Sequence, residues 1–404
     1  MPHLLYIPFL FALGACVGSF LNVVVYRLPR GISLVTPASR CPRCETPLAW
    51  YDNIPVFGWI FLRGKCRYCK QPISPEYPIV EAITGLLFVF YYVMFFMAHV
   101  GPEGTTNLAD QWPIYGLYMA LVAGLLAASL IDAELFIIPA GIPWWLAGIG
   151  IVVHGVVDRP GSAGALIDPP FALALCAGAG VGLIASIVLL LMKILPMSFP
   201  VGDLLEAERA ELEQQAKEAA EKGRETPDIP EEFAPAQVRA EIRKEMLFLM
   251  PPLVLGAASV ALHTHAPAVR HLWYAAAQID WLNAGMGALL GGLIGGFVVW
   301  LTRILGSYAF GKEAMGLGDV HLMFGVGAVL GAGPATVTFF IAPFIGILAG
   351  VYLLIAHSRR QLPYGPYLSL AAGFVMLFYS PIAAYLQPGL QGLMWFIRQG
   401  LAAL

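Results

Sequence analysis

Apolar stretches of roughly 20 residues recur along the whole chain, and a helix of that length spans the hydrocarbon core of a bilayer, about 30 Å thick. Ten stand out, at approximately 4–26, 78–99, 114–132, 138–157, 169–194, 247–265, 283–304, 318–333, 335–356 and 367–387. The fourth carries Pro139 and Pro143, and the eighth is short and rich in Gly. Hydrophobic residues make up 58% of the 404 and charged residues only 12%, so a solvated surface is out of reach for most of the chain. The fold class that follows is an all-α polytopic membrane protein with about ten transmembrane helices, embedded in lipid. Leu4 to Val25 is too long for a cleavable signal and lacks its basic start, so it reads as a retained span. Gly389 to Leu404, with Trp395, Phe396 and Arg398, suits the membrane interface.

The basic residues orient the chain. With alternating spans and the N-terminus outside, only Arg159, Arg270 and Arg398 of the 23 Lys and Arg fall on the outer side. The loop at 27–77 and the charged segment at 195–246 then face the cytoplasm, as do the ends of the spans holding Asp132 and Asp319. A formal net charge of −3, with basic residues confined to loops, argues against a nucleic-acid partner. His154, His263, His265 and His271 come out toward the outer side and read as interfacial residues.

Cys41-Pro42-Arg43-Cys44 and Cys66-Arg67-Tyr68-Cys69 form two Cys-x-x-Cys knuckles 21 residues apart, close to zinc-ribbon spacing. Each knuckle brings a pair of sulfurs onto one edge of a tetrahedral ion, and four thiolates leave no position open for water, so a structural zinc fits better than a catalytic one. The plain alternative is two disulfides, which a reducing cytosol disfavours. Arg63, Lys65, Arg67, Trp50, Tyr51 and Trp59 surround the knuckles. They suit a positive-inside loop with interfacial aromatics, or a platform beside the membrane for a peptide or small-molecule donor. Cys16 and Cys176 lie in apolar spans as small core residues.

Asp132 ends one apolar run and Asp319 begins another, after Gly316-Leu317-Gly318. A carboxylate at membrane depth is costly and marks a functional candidate. A lone one is more often a helix cap or an anchor; two on one side invite a dyad. Gly316 and Gly318 permit unusual turns and close helix approach, which would set Asp319 against another helix. Paired carboxylates share a proton, and the chemistry open to them is peptide hydrolysis: one activates water while the other polarises the carbonyl.

Further motifs make the resemblance specific. Gly18-Ser19-Phe20-Leu21-Asn22, Tyr26-Arg27-Leu28-Pro29, Trp50-Tyr51-Asp52-Asn53-Ile54-Pro55 and Tyr77-Pro78-Ile79-Val80-Glu81 precede Asp132. Lys312-Glu313-Ala314-Met315-Gly316-Leu317-Gly318-Asp319-Val320 and Pro363-Tyr364-Gly365-Pro366-Tyr367-Leu368 follow it. In this order they resemble the prepilin peptidases, the bifunctional leader peptidases and N-methyltransferases of type IV pilus and type II secretion systems. The resemblance implies a bacterial inner-membrane enzyme with its active site toward the cytoplasm. Its substrates would be prepilins or pseudopilins, whose basic leader it would remove before methylating the new amino terminus from S-adenosylmethionine. Asp132 and Asp319 match the family's catalytic aspartates, and Cys41, Cys44, Cys66 and Cys69 its metal-binding loop. The donor site is not placed by any motif.

Three departures accompany the match. Ala140 replaces an acidic residue usual after Ile-Pro, and His321 stands where a lysine is usual, reading as a capping or interfacial histidine or, less simply, a tuner of the dyad. The aspartates are 187 positions apart, with the excess falling between 158 and 282. Within it, Asp203 to Met246 holds 13 acidic and 7 basic side chains, reading as a helix (204–221), a linker (226–235) and a second helix (236–245). This is a plain cytoplasmic extension or a docking site for a pilus or secretion component. The divisions expected are a first span (1–27), the four-cysteine domain (28–77), spans carrying Asp132 (78–194), the charged insertion (195–246) and spans carrying the Gly-x-Gly-Asp motif (247–404). Two rival readings are an intramembrane aspartyl protease with another precursor substrate, and a non-catalytic transporter or scaffold. The second would place polar residues along several spans, where they are scarce.

Overall fold

The computed structural model describes residues 3–102, 107–157, 169–198, 235–357 and 363–402. The first helix of the charged segment, at 204–221, lies outside them. Among the described residues the chain is helical, without a strand. In order come α1 (His3–Arg27), α2 (Phe57–Phe61), α3 (Glu76–Tyr92, ending in a π-helical turn over Val93–Met97), α4 (Leu108–Leu135) and α5 (Gly141–Val157). Then follow α6 (Pro169–Leu191), α7 (Pro235–His265), α8 (Pro267–Ala277), α9 (Asp280–Phe310), α10 (Leu317–Leu330), α11 (Ala332–His357) and α12 (Gly365–Ala402). Eight of these are long and apolar enough to cross a membrane, while α5 and α10 are shorter apolar helices. Each of the ten expected spans is helical.

The departures from the expected boundaries have local causes. Asn107 caps α4 by accepting a hydrogen bond from the Ala109 N–H at 3.1 Å, so the helix begins before its most apolar run. α7 starts at Pro235 instead of near 247, because the helix expected to stop at Glu245 runs on into the apolar span as one rod. Val238, Ile242, Glu245 and Leu249 recur at helical spacing along its buried face, so the charged and apolar parts share one seam. α12 continues past Pro388, so the closing segment extends this helix instead of starting a separate one. α8, of mixed polarity, has no long apolar run to announce it.

α10 has 14 residues, about 21 Å at 1.5 Å per residue, and so falls short of a 30 Å core. It turns into α11 at Gly331, whose φ of +93° lies in the region that favours glycine. α9 packs against α10 backbone to backbone: a Cβ on Gly291 would lie 2.2 Å from the Gly327 carbonyl oxygen. Between apolar helices in lipid, such close packing replaces the missing hydrophobic drive. The main core joins α1, α3, α4, α5, α9, α10, α11 and α12, with Tyr92, Phe95, Phe96 and Tyr115 clustered where the end of α3 meets the early turns of α4. α6 and α7 contribute instead to two small clusters, each shared with α9.

His154 is not interfacial as expected. It is buried, 1% exposed, and its Nε2 lies 2.9 Å from the Val329 carbonyl, joining α5 to α10. His263 is also buried, between Phe171 and Tyr274, while His265 and His271 are exposed. Cys176 is a core residue; Cys16 is exposed on α1.

Candidate active site

Asp132 is the last buried residue of α4, and Asp319 sits in the first turn of α10. Both are almost fully buried, at 6% and 7% exposure. The start of α12 brings them a shared neighbour. The Gly365 N–H donates to Asp132 Oδ2 at 2.9 Å, and a Cβ on Gly365 would come within 2.7 Å of that oxygen and 3.1 Å of Ile138 Cδ1. From the other side, a Cβ on Gly318 would lie 3.0 Å from Ile138 Cβ. Ile138 thus lies between the two carboxylate-bearing helix ends, and the Asp132 charge reaches Asp319. Tyr364 completes the same corner.

The two motif glycines differ in what the backbone asks of them. Gly316 has φ −69° and ψ 147°, extended backbone that any residue adopts, so no special turn is needed there. Gly318 is required by its close approach to Ile138. His321 follows Asp319 by two positions, about 200° around the helix, and its ring faces Trp144 of α5 at 5.9 Å. It is not a partner of the dyad.

Behind the Gly-x-Gly-Asp turn lies a buried ion-pair network that no motif announced. Arg303 of α9, 1% exposed, donates through Nε and Nη2 to Glu245 of α7 at 3.0 and 2.9 Å. Its Nη1 donates to Glu313 at 2.5 Å and to the Met315 carbonyl. Trp300 Nε1 donates to the second Glu245 oxygen at 2.7 Å. Removing one partner of such a buried pair costs about 3–5 kcal/mol, because the other charge is left without compensation. A lone Arg in an apolar run was the available signal.

The four-cysteine loop folds as two copies of one knuckle. In each, the first Cys N–H and carbonyl bond back across the turn: Cys41 to Thr46 and Glu45 at 3.0 and 2.9 Å, Cys66 to Gln71 and Lys70 at 2.9 and 3.0 Å. Glu45 and Lys70 take matching φ values of 56° and 59°. All four sulfurs lie within 4.8 Å of one another, and Cys41 and Cys69 Sγ are 3.9 Å apart. A tetrahedron with bonds of about 2.3 Å has edges of roughly 3.8 Å, so the cluster can hold a metal ion. The Thr46 hydroxyl beside Cys44 holds that thiol down at about 6, while burial and the three neighbouring sulfurs hold Cys69 up at about 11, so the four sulfurs share their protons as one cluster. The loop is tied across its own middle and to α3. Asp52 accepts from Arg67 Nε at 2.5 Å, and Glu81 of α3 accepts from the Val56 N–H at 2.7 Å. α3 in turn packs tightly on α1, where a Cβ on Gly18 would lie 2.7 Å from Glu81 Cα.

Comparison with known proteins bears on the same regions. Residues 12–95 match the bacterial peptidase A24 N-terminal domain, and residues 247–351 match the type IV leader peptidase family. The chain is 46% identical over 149 residues to a prepilin leader peptidase/N-methyltransferase of Myxococcus xanthus, covering 36% of this chain and 40% of that protein. A Klebsiella pneumoniae protein of the same name is 41% identical over 153 residues, covering 36% and 60%. A type 4 prepilin-like proteins leader peptide-processing enzyme of Escherichia coli is 37% identical over 139 residues, covering 30% and 46%. The chain therefore spans about half the length of the curated relatives it matches. No solved structure matches it.

The four cysteines and Asp319 fall inside the A24 segments, whereas Asp132 lies between them. Because the second segment begins at 247, the apolar part of α7 belongs to it and not to an insertion reaching 282. The sequence reading left Gly365, Ile138, Arg303 and Glu245 without roles. Gly365 stood within a quoted motif, and only the fold shows that its N–H meets Asp132.

Proposed function

We propose that this chain is a membrane aspartic endopeptidase that removes the basic leader of type IV prepilins or type II secretion pseudopilins and then N-methylates the exposed amino terminus. The observation that carries the reading is a pair of buried carboxylates, at the end of α4 and the start of α10, whose neighbouring backbone at Gly365 and Gly318 closes on the same Ile138, in a chain matching both A24 segments. Asp132 and Asp319 are the proposed catalytic pair, with Gly316 and Gly318 in support. One carboxylate takes a proton from water as the water attacks the scissile carbonyl, while the other, protonated, donates a hydrogen bond to the carbonyl oxygen. The proton gained by the first then passes to the departing amine. Titration of such a pair belongs to both groups together.

The proposed setting is the bacterial inner membrane with the dyad toward the cytoplasm, consistent with the distribution of Lys and Arg. A prepilin carries its basic leader just ahead of an apolar helix, so its scissile bond reaches this depth naturally. Residues 28–77 serve as a zinc domain, with Cys41, Cys44, Cys66 and Cys69 as ligands. The segment at 195–246 is an extension open to pilus or secretion components. S-adenosylmethionine is the proposed methyl donor.

The test is incubation of the purified protein with a synthetic prepilin peptide and S-adenosylmethionine, reading both products by mass. Loss of the leader with a gain of one methyl group is expected; an intact peptide would overturn the proposal. A second expectation concerns the metal. Cys41→Ser should lower bound zinc from about one equivalent to well below half, measured by elemental analysis, and should make residues 28–77 more susceptible to protease. Unchanged stoichiometry would remove Cys41 from the ligand set.

A further inference from the structure

The geometry points to Arg303 as a positioning residue for the dyad, holding the Glu313–Gly316 turn at the depth where Asp319 meets Asp132, with Glu245 as its counter-anchor. This rests on the proposed peptidase reading. Three features support it. First, the guanidinium uses all three nitrogens: Nε and Nη2 face Glu245, and Nη1 faces Glu313 and the Met315 carbonyl. A planar fork can bind a carboxylate and a backbone oxygen at once; a lysine ammonium has no such geometry.

Second, the turn has few other fixings. Ser307 Oγ accepts from the Ala314 N–H at 2.9 Å, and the Asp319 N–H donates to the Gly316 carbonyl at 3.2 Å. Met315 and Gly316 directly precede α10, so a shift of the Met315 carbonyl moves the first turn of that helix and the Asp319 side chain with it. Third, the anchor itself is immobile: Arg303 and the Glu245 side chain are each 1% exposed, and Trp300 holds the second Glu245 oxygen. The hydrogen bonds of Arg303 go to Glu245, Glu313 and the Met315 carbonyl, and its charge also reaches Asp319, so it acts on the dyad through the turn it holds.

The experiment removes the network without stranding a buried charge, since the Glu313 side chain that remains is 46% exposed. In the double variant Arg303→Met with Glu245→Gln, both charges leave together, and such replacement of a buried pair is often neutral for stability. The expected result is a thermal midpoint within about 3 °C of the parent, unchanged zinc content, and a kcat for leader cleavage lower by about 30-fold or more with KM within about threefold. Loss of this size follows from displacement of a catalytic group by about 1 Å. A folded double variant with parental kcat would overturn the inference.

Should that variant fail to fold, Glu313→Gln decides, because the Glu313 side chain is 46% exposed and its loss leaves no buried cavity. It should lower kcat about fivefold at constant KM and constant thermal midpoint, and parental kcat there would equally refute the positioning role. Asp319→Asn runs alongside. If the parent does not cleave, the peptidase reading fails; if Asp319→Asn still cleaves, Asp319 leaves the dyad; if it is dead while the variants above are fully active, only the positioning inference fails.

Discussion

Asp319→Asn should reduce leader cleavage by at least about 10³-fold, and Asp132→Asn should do the same, each without loss of fold or of the four-cysteine metal site. Asn keeps the shape of the side chain and one acceptor oxygen but can neither take a proton from water nor give one to the leaving amine. Each carboxylate is needed for the other's task, so the double Asn variant should be no worse than the poorer single one. The Gly365 N–H can still meet the amide oxygen at position 132, which preserves the α4–α12 contact. Peptide cleavage followed by mass, with circular dichroism and zinc content as controls, checks the outcome. A folded Asn variant retaining a tenth of parental activity would remove that aspartate from the chemistry.

Gly365→Ala is the second large expectation, and it is steric. The new Cβ would lie 2.7 Å from Asp132 Oδ2 and 3.1 Å from Ile138 Cδ1, so the carboxylate must swing away or α12 must retreat. Either movement misplaces one half of the dyad, and a displacement near 1 Å costs about 10²-fold in rate. The stability cost should be only about 1–3 kcal/mol, the usual range for overpacking, so the protein should still purify. The expected signature is a fall in kcat with KM little changed. Parental turnover by Gly365→Ala would mean that Asp132 works from a different position than the one bonded to Gly365.

Much of this architecture was legible from periodicity alone, because a bilayer permits few solutions for an apolar run of roughly 20 residues. The four cysteines were equally legible, since metal spacing is written locally in the chain. What sequence could not supply was contact between remote segments. Gly365 lies 233 positions from Asp132, and nothing local to either states that one donates to the other. The reading of Glu245 as the end of a solvated helix failed because its charge drew attention from its register: it shares a face with Val238, Ile242 and Leu249. His154 was misplaced for a similar reason, as a polar residue near a span's end was taken to face water when it bonds a carbonyl of α10.

The small clusters beneath α6 and α7 have one further consequence. Because they share only α9 with each other and the main core contains neither helix, this part of the molecule is an outrigger. Its lipid-facing side chains lie away from the neighbours of Asp132 and Asp319, whereas Gly178 and Gly182 of α6 are held small by the backbone of α7, 2.3 Å from where a Cβ would stand. Glu245 moors the outrigger to the turn before Asp319 through Arg303, and Arg239 against the Tyr308 carbonyl and Pro235 against Gly311 hold the same end of α9.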